Sequence, residues 1–277
     1  HDADGAALDK LIEGYRADYA AYYERCKHAN SPAIRDPNAV IYLVPRVGML
    51  SFAKDKATAR IAAEFYVNAI NVMRGASGVS AYKGLPEQEA FNIEYWLLEE
   101  AKLSRMPKPK SLAGRVGFIT GGAGGIGSAI AAKLLSEGAC VVLADIDQAS
   151  LDEVVGGFAK TYGKDNVRGV KMDVTSEDAV ITAMDETALA FGGVDIVVNN
   201  AGGSGQIAFD KVDDDFWNLD MEIKVMAQVR TTRAAVPHMK KVGGGRIINI
   251  GSQASKSGFP FAAAYVASKH GMVGLTR

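Results

Sequence analysis

Two residues near the end of the chain have the types and the spacing of a proton-transfer pair. Tyr265 and Lys269 lie four positions apart in the segment AAAYVASKHGMVGLTR. On a helix this spacing places both side chains on one face, one turn apart. A tyrosine hydroxyl ordinarily ionises at about pH 10, and a nearby ammonium favours its phenolate form. The pair therefore predicts a tyrosine that exchanges a proton with a bound hydroxyl compound.

A second pattern with chemical meaning is the glycine-rich stretch FITGGAGGIGSAIAAKLLSEGACVVLADID. It places Gly121, Gly125 and Gly127 between a predicted strand and a predicted helix, and Asp145 at the end of the next strand. Glycines let the backbone approach a pyrophosphate, which the free N–H groups at the helix start attract. Asp145 can accept hydrogen bonds from ribose hydroxyls and repel a 2′-phosphate, and the turn contains no Lys or Arg. The stretch predicts a dinucleotide site that prefers NAD to NADP, with Asp147 a solvated turn residue.

Five apolar segments that alternate with helical stretches must position these residues. They are RVGFIT, CVVLAD, VRGVKMDV, VDIVVNN and GRIINIG. Strands that alternate with helices are typical of an α/β fold with a doubly wound parallel sheet of the Rossmann type. Such sheets usually have about six strands. Because five precede the Tyr265 helix, we expect a domain truncated at its C-terminus, with further chain beyond residues 1 and 277.

The first part of the chain has a different, helix-rich pattern. Apolar residues recur at helical spacing over residues 56–74 and 87–104, and AVIYLVP is a strand candidate. The stretch MPKPKSLAGR then separates the two patterns. We therefore expect a helix-rich segment over 1–105, a linker over 106–114 and a dinucleotide-binding domain over 115–277. Aromatic residues expected in the core of the first segment are Tyr22, Tyr23, Tyr66 and Trp96.

The composition narrows the range of partners. The 277 residues have a formal net charge of −1, and 23% of them are charged. Charges of both signs are interspersed, and no apolar run reaches the roughly 18 residues of a membrane helix. We therefore expect a small-molecule substrate, no nucleic acid and no membrane. Cys26 and Cys140 lie far apart in sequence, which favours reduced thiols and a cytoplasmic location.

Four motifs in order resemble the short-chain dehydrogenase/reductase family: TGGAGGIG, NNAG, the serine of IINIGS, and YVASK. The resemblance covers residues 112–277 and implies an NAD-dependent oxidoreductase that forms a homo-oligomer, a dimer or a tetramer. It implies a catalytic group of Ser252, Tyr265 and Lys269. It also implies a set of cofactor-binding residues: Gly121, Gly125, Ile126, Gly127, Asp145, Asp173, Val174, Asn200, Ala201, Gly202, Tyr265 and Lys269.

In the mechanism that this resemblance implies, Tyr265 removes the alcohol proton as hydride leaves for the nicotinamide. Ser252 hydrogen-bonds the substrate oxygen, and Lys269 favours the phenolate and holds the nicotinamide ribose. One position departs from the family. Many members have an Asn, part of a proton relay, where the segment EIKVMAQVRTTRAAVPHM has Lys224. Three interpretations are open: its ammonium replaces the amide, the relay uses backbone groups, or the enzyme is weakened.

The upstream segment resembles another protein class. FYVNAINVMRGA, LPEQEAFNIEYWLLEEAKL and MPKPK are similar to the C-terminal part of the aldolase half of bifunctional class II aldolase/short-chain dehydrogenases. Those proteins act in rhamnose-type sugar catabolism, which implies a small hydroxy or carbonyl substrate. Their aldolase metal is bound by clustered histidines, whereas His28 has no second histidine at ligand spacing, so we expect no metal. Two alternatives to an NAD-dependent oxidoreductase stay open: the chain is the remnant of a class II aldolase without its metal site, or it is a catalytically silent interaction module.

Overall fold

A computed structural model describes residues 2–203 and 205–277 of the chain. The chain divides into two compact units, His1–Lys108 and Pro109–Arg277. The first unit is mainly helical, and the second is an α/β unit. Within the described ranges, no helix is both long enough and apolar enough to cross a membrane.

The described part of the first unit consists of four helices and one antiparallel hairpin. The helices are α1 (Asp2–Cys26), α2 (Lys56–Val79), α3 (Glu87–Glu94) and α4 (Leu97–Ser104). The strands β1 (Ile41–Val44) and β2 (Gly48–Ser51) pair with Ile41 opposite Ser51. Asp55 begins α2 by accepting the N–H of Thr58 at 2.7 Å, which satisfies one of the free donors at the helix start.

The core of this unit differs from the expectation. The predicted helix over 87–104 is broken at Tyr95 and Trp96, and Trp96 is 55% exposed, so its assignment to the core is wrong. The buried cluster is formed by Tyr23, Cys26, Phe91 and Tyr95. The rings of Phe91 and Tyr95 stack with centroids 4.5 Å apart. Tyr23 of α1 contacts both rings, with centroids 5.9 Å from Phe91 and 5.3 Å from Tyr95, and these contacts hold α3 against α1.

The second unit contains a parallel sheet, and all five predicted strand segments lie in it. Within the described residues its strands are β3 (Val116–Thr120), β4 (Cys140–Asp145), β5 (Val167–Lys171), β6 (Ile196–Asn199) and β7 (Arg246–Asn249). The strand order is β5-β4-β3-β6-β7. Phe118 of β3 lies opposite Val142 of β4 and Val197 of β6. The order of the strands reverses beside β3, the point at which such sheets open a crevice for ligands. The predicted fold class is confirmed.

Helices cover both faces of this sheet. They are α5 (Gly125–Ser136), α6 (Gln148–Tyr162), α7 (Glu177–Phe191), α8 (Asp214–Met221), α9 (Ala227–Lys241) and α10 (Ala263–Thr276). A π-helical segment, Glu222–Met226, joins α8 to α9. Successive strand residues point to opposite faces, so Phe118 and Val142 pack with α7 and α9, whereas Ile119 and Leu143 pack with α5 and α6. Burial on both faces fixes the strand ends that support the site.

Candidate active site

A cleft of about 580 Å³ lies at the carboxyl ends of the five strands. The predicted site residues that line it are Gly121, Gly125, Ile126, Asp145, Asp173, Val174, Asn200, Ala201, Gly202, Tyr265 and Lys269. Gly127, Ser252 and Lys224 do not belong to the lining. The structure therefore brings the glycine-rich turn and the Tyr265 helix to one cavity.

Gly121 and Gly127 are required by the packing of the turn against itself and against the loop after β6. Gly121 has a φ of 62°, a left-handed conformation, and a Cβ there would lie 2.9 Å from the Cα of Ala201. A Cβ at Gly127 would lie 2.2 Å from the carbonyl oxygen of Gly121. A Cβ at Gly125 would meet nothing within 4 Å. Gly125 therefore leaves room on the cleft side, at the N-terminus of α5.

Thr120 and Asn200 tie this turn to the loop after β6. The Asn200 Nδ2 donates to the carbonyl oxygens of Thr120 and Gly121, both at 3.0 Å. The Thr120 Oγ1 accepts the N–H groups of Asn200 and Ala201, both at 3.0 Å. The sequence reasoning missed Thr120, because the residues that it holds lie about 80 positions later in the chain. The side chain of Asn200 holds the turn in shape.

Asp145 lies at the end of β4 with both carboxylate oxygens engaged. Its Oδ2 accepts the N–H of Ala123 at 3.0 Å, and its Oδ1 accepts the N–H of Asp147 at 3.2 Å. A carboxylate has about four acceptor positions, so each oxygen can accept a further hydrogen bond from a ligand. Among the described residues that line the cleft, Lys269 is the one Lys or Arg.

The neighbouring carboxylates have local partners. Asp147 is exposed and caps α6, and hydrogen bonds from the side chain and backbone of Ser150 lower its pKa. The Asp173 Oδ1 accepts the Thr175 N–H at 2.8 Å and the Thr175 hydroxyl at 2.7 Å. No cluster of three or more His, Cys, Asp or Glu side chains suited to a metal ion occurs in residues 2–203 and 205–277.

Ser252 follows β7 and caps the short 3₁₀ turn after it. Its Oγ accepts the N–H of Ala254 at 3.2 Å, and its own N–H donates to the Ser255 Oγ at 3.1 Å. A hydroxyl has one proton to donate and two acceptor positions. Capping occupies one acceptor position, so the proton of Ser252 remains available to an incoming oxygen.

Tyr265 and Lys269 lie one turn apart on α10, as their spacing predicts. The Lys269 Nζ is 6.0 Å from the centroid of the Tyr265 ring and donates to the carbonyl oxygen of Ile250 at 2.7 Å. Burial of Lys269 and, next, the charge of Lys224 lower the pKa of its ammonium, while Asp220 raises it. An ammonium has three protons, so two remain after the bond to Ile250.

Lys224 lies in the π-helical segment, beside the same tyrosine. Its Nζ is 5.3 Å from the centroid of the Tyr265 ring. It forms an ion pair with Asp220, four positions earlier on α8, and the exposed fractions are 2% for Lys224 and 7% for Asp220. Asp220 is the second residue that the sequence reasoning missed, and its spacing to Lys224 was the signal.

Comparisons with known proteins match both parts of the chain. Residues 115–277 match the short chain dehydrogenase family, and residues 1–103 match the family described as aldolase class II, second domain. Both resemblances drawn from the sequence are therefore confirmed.

Individual oxidoreductases and dehydrogenases are also similar to this chain. The chain is 36% identical to the uncharacterized oxidoreductase YuxG of Bacillus subtilis (strain 168), over 93% of this chain and 37% of the relative. It is 36% identical to 2-dehydro-3-deoxy-L-rhamnonate dehydrogenase (NAD(+)) of Sphingomonas sp. (strain SKA58), over 60% of this chain and 64% of the relative. The crystal structure of NAD+-bound xylitol dehydrogenase is similar with a TM-score of 0.58 and 32% identity, over 60% of this chain and 64% of that one. The chain thus spans less than two thirds of each of these proteins.

Proposed function

Because the chain belongs to the short-chain dehydrogenase family, we propose that it transfers hydride between NAD and a small hydroxy or carbonyl compound from sugar catabolism. The observation that supports this best is one cleft lined by the glycine-rich turn and Asp145 and also by Tyr265 and Lys269. The names of two relatives, the rhamnonate dehydrogenase (NAD(+)) and the NAD+-bound xylitol dehydrogenase, favour this cofactor and a polyhydroxy substrate.

The residues of the cleft fit a nicotinamide dinucleotide. The first N–H groups of α5 have no partners within the helix, and the open side of Gly125 admits a pyrophosphate next to them. Asp145 accepts hydrogen bonds from the adenosine ribose and repels a 2′-phosphate, which favours NAD over NADP. Asp173 and Val174 flank the adenine, and the Asn200–Gly202 loop lines the ribose side. When bound, the cofactor supplies the hydride acceptor or donor.

The residues of this chain handle the proton and the substrate oxygen. Tyr265 acts as general acid–base, taking the alcohol proton during oxidation and returning it during reduction. Lys269 favours the phenolate and directs its remaining protons to the nicotinamide ribose. Ser252 donates its hydroxyl proton to the substrate oxygen, where negative charge develops. Ser252 has this proton to donate because its Oγ acts as an acceptor toward Ala254. Lys269 has two protons to donate because only one is used in its hydrogen bond to the carbonyl oxygen of Ile250.

The direct test replaces Tyr265 by Phe, which removes the hydroxyl and keeps the ring. NADH binding is measured by fluorescence, and turnover is measured with NAD+ and a panel of polyols and sugar acids. We expect a loss of at least about 10²-fold in rate with NADH affinity kept. The matched control is Tyr162→Phe, a tyrosine on α6 that packs with Phe158. Full turnover in Tyr265→Phe would remove this residue from the proposed role.

Two further proposals concern the oligomeric state and the cellular location of the protein. We propose a homo-oligomer, as the family resemblance implies, and a cytoplasmic location, as the two widely spaced cysteines favour. Sedimentation of the purified chain measures the first, and cell fractionation measures the second.

A further inference from the structure

The ion pair of Asp220 and Lys224 is unusual in its depth of burial. Their side chains are 10% and 3% exposed, whereas those of Lys133 and Glu137, an ion pair of this unit with the same spacing, are 72% and 35% exposed. Burying two charges costs more than their attraction returns unless further hydrogen bonds satisfy both groups. The Asp220 Oδ2 is buried and accepts no hydrogen bond from the residues that the structure describes. A contribution to the stability of the fold therefore does not by itself explain why this ion pair is buried.

The ammonium group of the pair lies beside Tyr265, the proposed general acid–base residue. The Lys224 Nζ is 5.3 Å from the centroid of the Tyr265 ring, closer than the Lys269 Nζ at 6.0 Å. The aliphatic part of Lys224 lies beside the loop after β6, since a Cβ at Gly202 would lie 3.7 Å from the Lys224 Cγ. The lysine is thus held between the loop after β6 and Tyr265.

The elements packed against α10 present few other charges to this tyrosine. Lys224 comes from the π-helical segment, Asp220 stands behind it on α8, and Lys269 is on α10 itself. Glu222, in the same π-helical segment, pairs with Arg230 at 2.7 Å. The 3₁₀ turn Gln253–Ser255, which also packs on α10, contains no charged residue. The other carboxylates of α8, Asp214 and Asp215, are exposed. Among the described residues, the buried charges of these elements are therefore two ammonium groups and one carboxylate, which leave one positive charge uncompensated beside Tyr265.

We propose that Asp220 and Lys224 are a positioning pair for this reaction: Asp220 keeps Lys224 charged and in place, and Lys224 stabilises the phenolate of Tyr265. An isolated buried ammonium tends to lose its proton, and an opposite charge within contact distance keeps it. When Tyr265 ionises, the negative charge of its phenolate compensates the positive charge that Lys224 and Lys269 leave after the pairing with Asp220. The proposal deepens the proposed function, because it assumes that Tyr265 is the proton-transfer group.

The test is a tyrosinate absorbance titration of the full chain, with and without Tyr265→Phe, so that the difference gives the ionisation of Tyr265. It is repeated in the double variant Asp220→Asn/Lys224→Met, which removes both charges and leaves no unpaired buried ion. We expect the midpoint to move to higher pH, because the variant removes the ammonium nearer to the Tyr265 ring, and that ammonium favours the phenolate. Lys224→Gln alone, measured the same way, provides a second variant and should move the midpoint in the same direction.

The matched control is Lys133→Met/Glu137→Gln, which removes an exposed pair of the same type and spacing. We expect no change in the Tyr265 midpoint there. An unchanged or lowered midpoint in the Asp220/Lys224 variants, or an equal change in the control, overturns the proposal. Because the titration needs no substrate, it is independent of turnover, whereas failure of the proposed function would be seen in the NADH-binding and turnover measurements of Tyr265→Phe.

Discussion

The glycine-rich turn gives the sharpest stability prediction, because a side chain at Gly127 would collide with the backbone of the turn itself. Gly127→Ala would put a Cβ 2.2 Å from the Gly121 carbonyl oxygen and 2.9 Å from the Asn200 Nδ2. The first of these neighbours is backbone, which cannot rotate away. Asn200 in turn donates to the carbonyl oxygens of Thr120 and Gly121. The substitution therefore disturbs the whole link between the turn and the loop after β6.

The magnitude follows from two opposing effects. Overpacking a tightly packed site costs about 3 kcal/mol, and Ala in place of a helical Gly returns up to about 1 kcal/mol. The net loss for Gly127→Ala is then about 2 kcal/mol, or a fall in thermal midpoint of roughly 4–8 °C for a domain of this size. Gly157→Ala is the matched control, because Gly157 lies in α6 with nothing within 4 Å of its Cβ position. It should raise the midpoint slightly.

The assay combines thermal unfolding by circular dichroism with NADH binding by fluorescence. A third variant, Gly125→Ala, separates fold from cofactor. A Cβ at Gly125 would meet nothing within 4 Å, and Gly125 lines the cleft, so we expect a near-native midpoint with weakened NADH binding. An unchanged midpoint in Gly127→Ala would refute the packing argument, and unchanged NADH affinity in Gly125→Ala would refute the placement of the pyrophosphate.

Two further predictions concern charge and pH. Asp145→Asn should reduce the preference for NAD over NADP, measured as the ratio of the two dissociation constants, by roughly tenfold to a hundredfold. The reason is that a charged hydrogen bond contributes about 1.5–3 kcal/mol. Asp147→Asn, outside the cleft, is the control and should leave this ratio unchanged. In the first unit, burial and then the hydrogen bond to Glu94 raise the pKa of the Tyr19 hydroxyl well above its usual range. Tyr19 stays neutral in the fold but ionises in the unfolded chain above about pH 10, so its stabilisation is complete below that pH and is lost as pH rises. Urea midpoints between about pH 8 and pH 11 should fall less steeply in Tyr19→Phe than in the native chain; equal slopes would contradict this.

Much of the fold was predictable because its signals are local. A glycine turn between strand and helix, an acid at the next strand end and a Tyr–Lys pair one turn apart each depend on spacing within a few residues. Parallel strands share one edge at their carboxyl ends, so these local patterns meet in one cleft. The five strand segments could be placed for the same reason.

The remaining features depend on contacts between distant segments. Thr120 accepts hydrogen bonds from residues about 80 positions later, an arrangement that no local pattern indicates. The exposure of Trp96 follows from the break between α3 and α4, where stacking of Phe91 and Tyr95 takes the buried positions. The π-helical segment adds a residue to one helical turn, which changes the direction of every side chain after it.

Lys224 shows why one position is hard to interpret by itself. From the sequence, a lysine where relatives have an Asn could act, be tolerated or weaken the enzyme. A tolerated lysine on this helix would be expected to extend its ammonium to solvent, yet this one is buried with a carboxylate one turn away. A weakening substitution would leave the charge without a partner, and here Asp220 supplies one. The two residues therefore have to be interpreted as a unit, and the geometry favours an ammonium that acts on Tyr265.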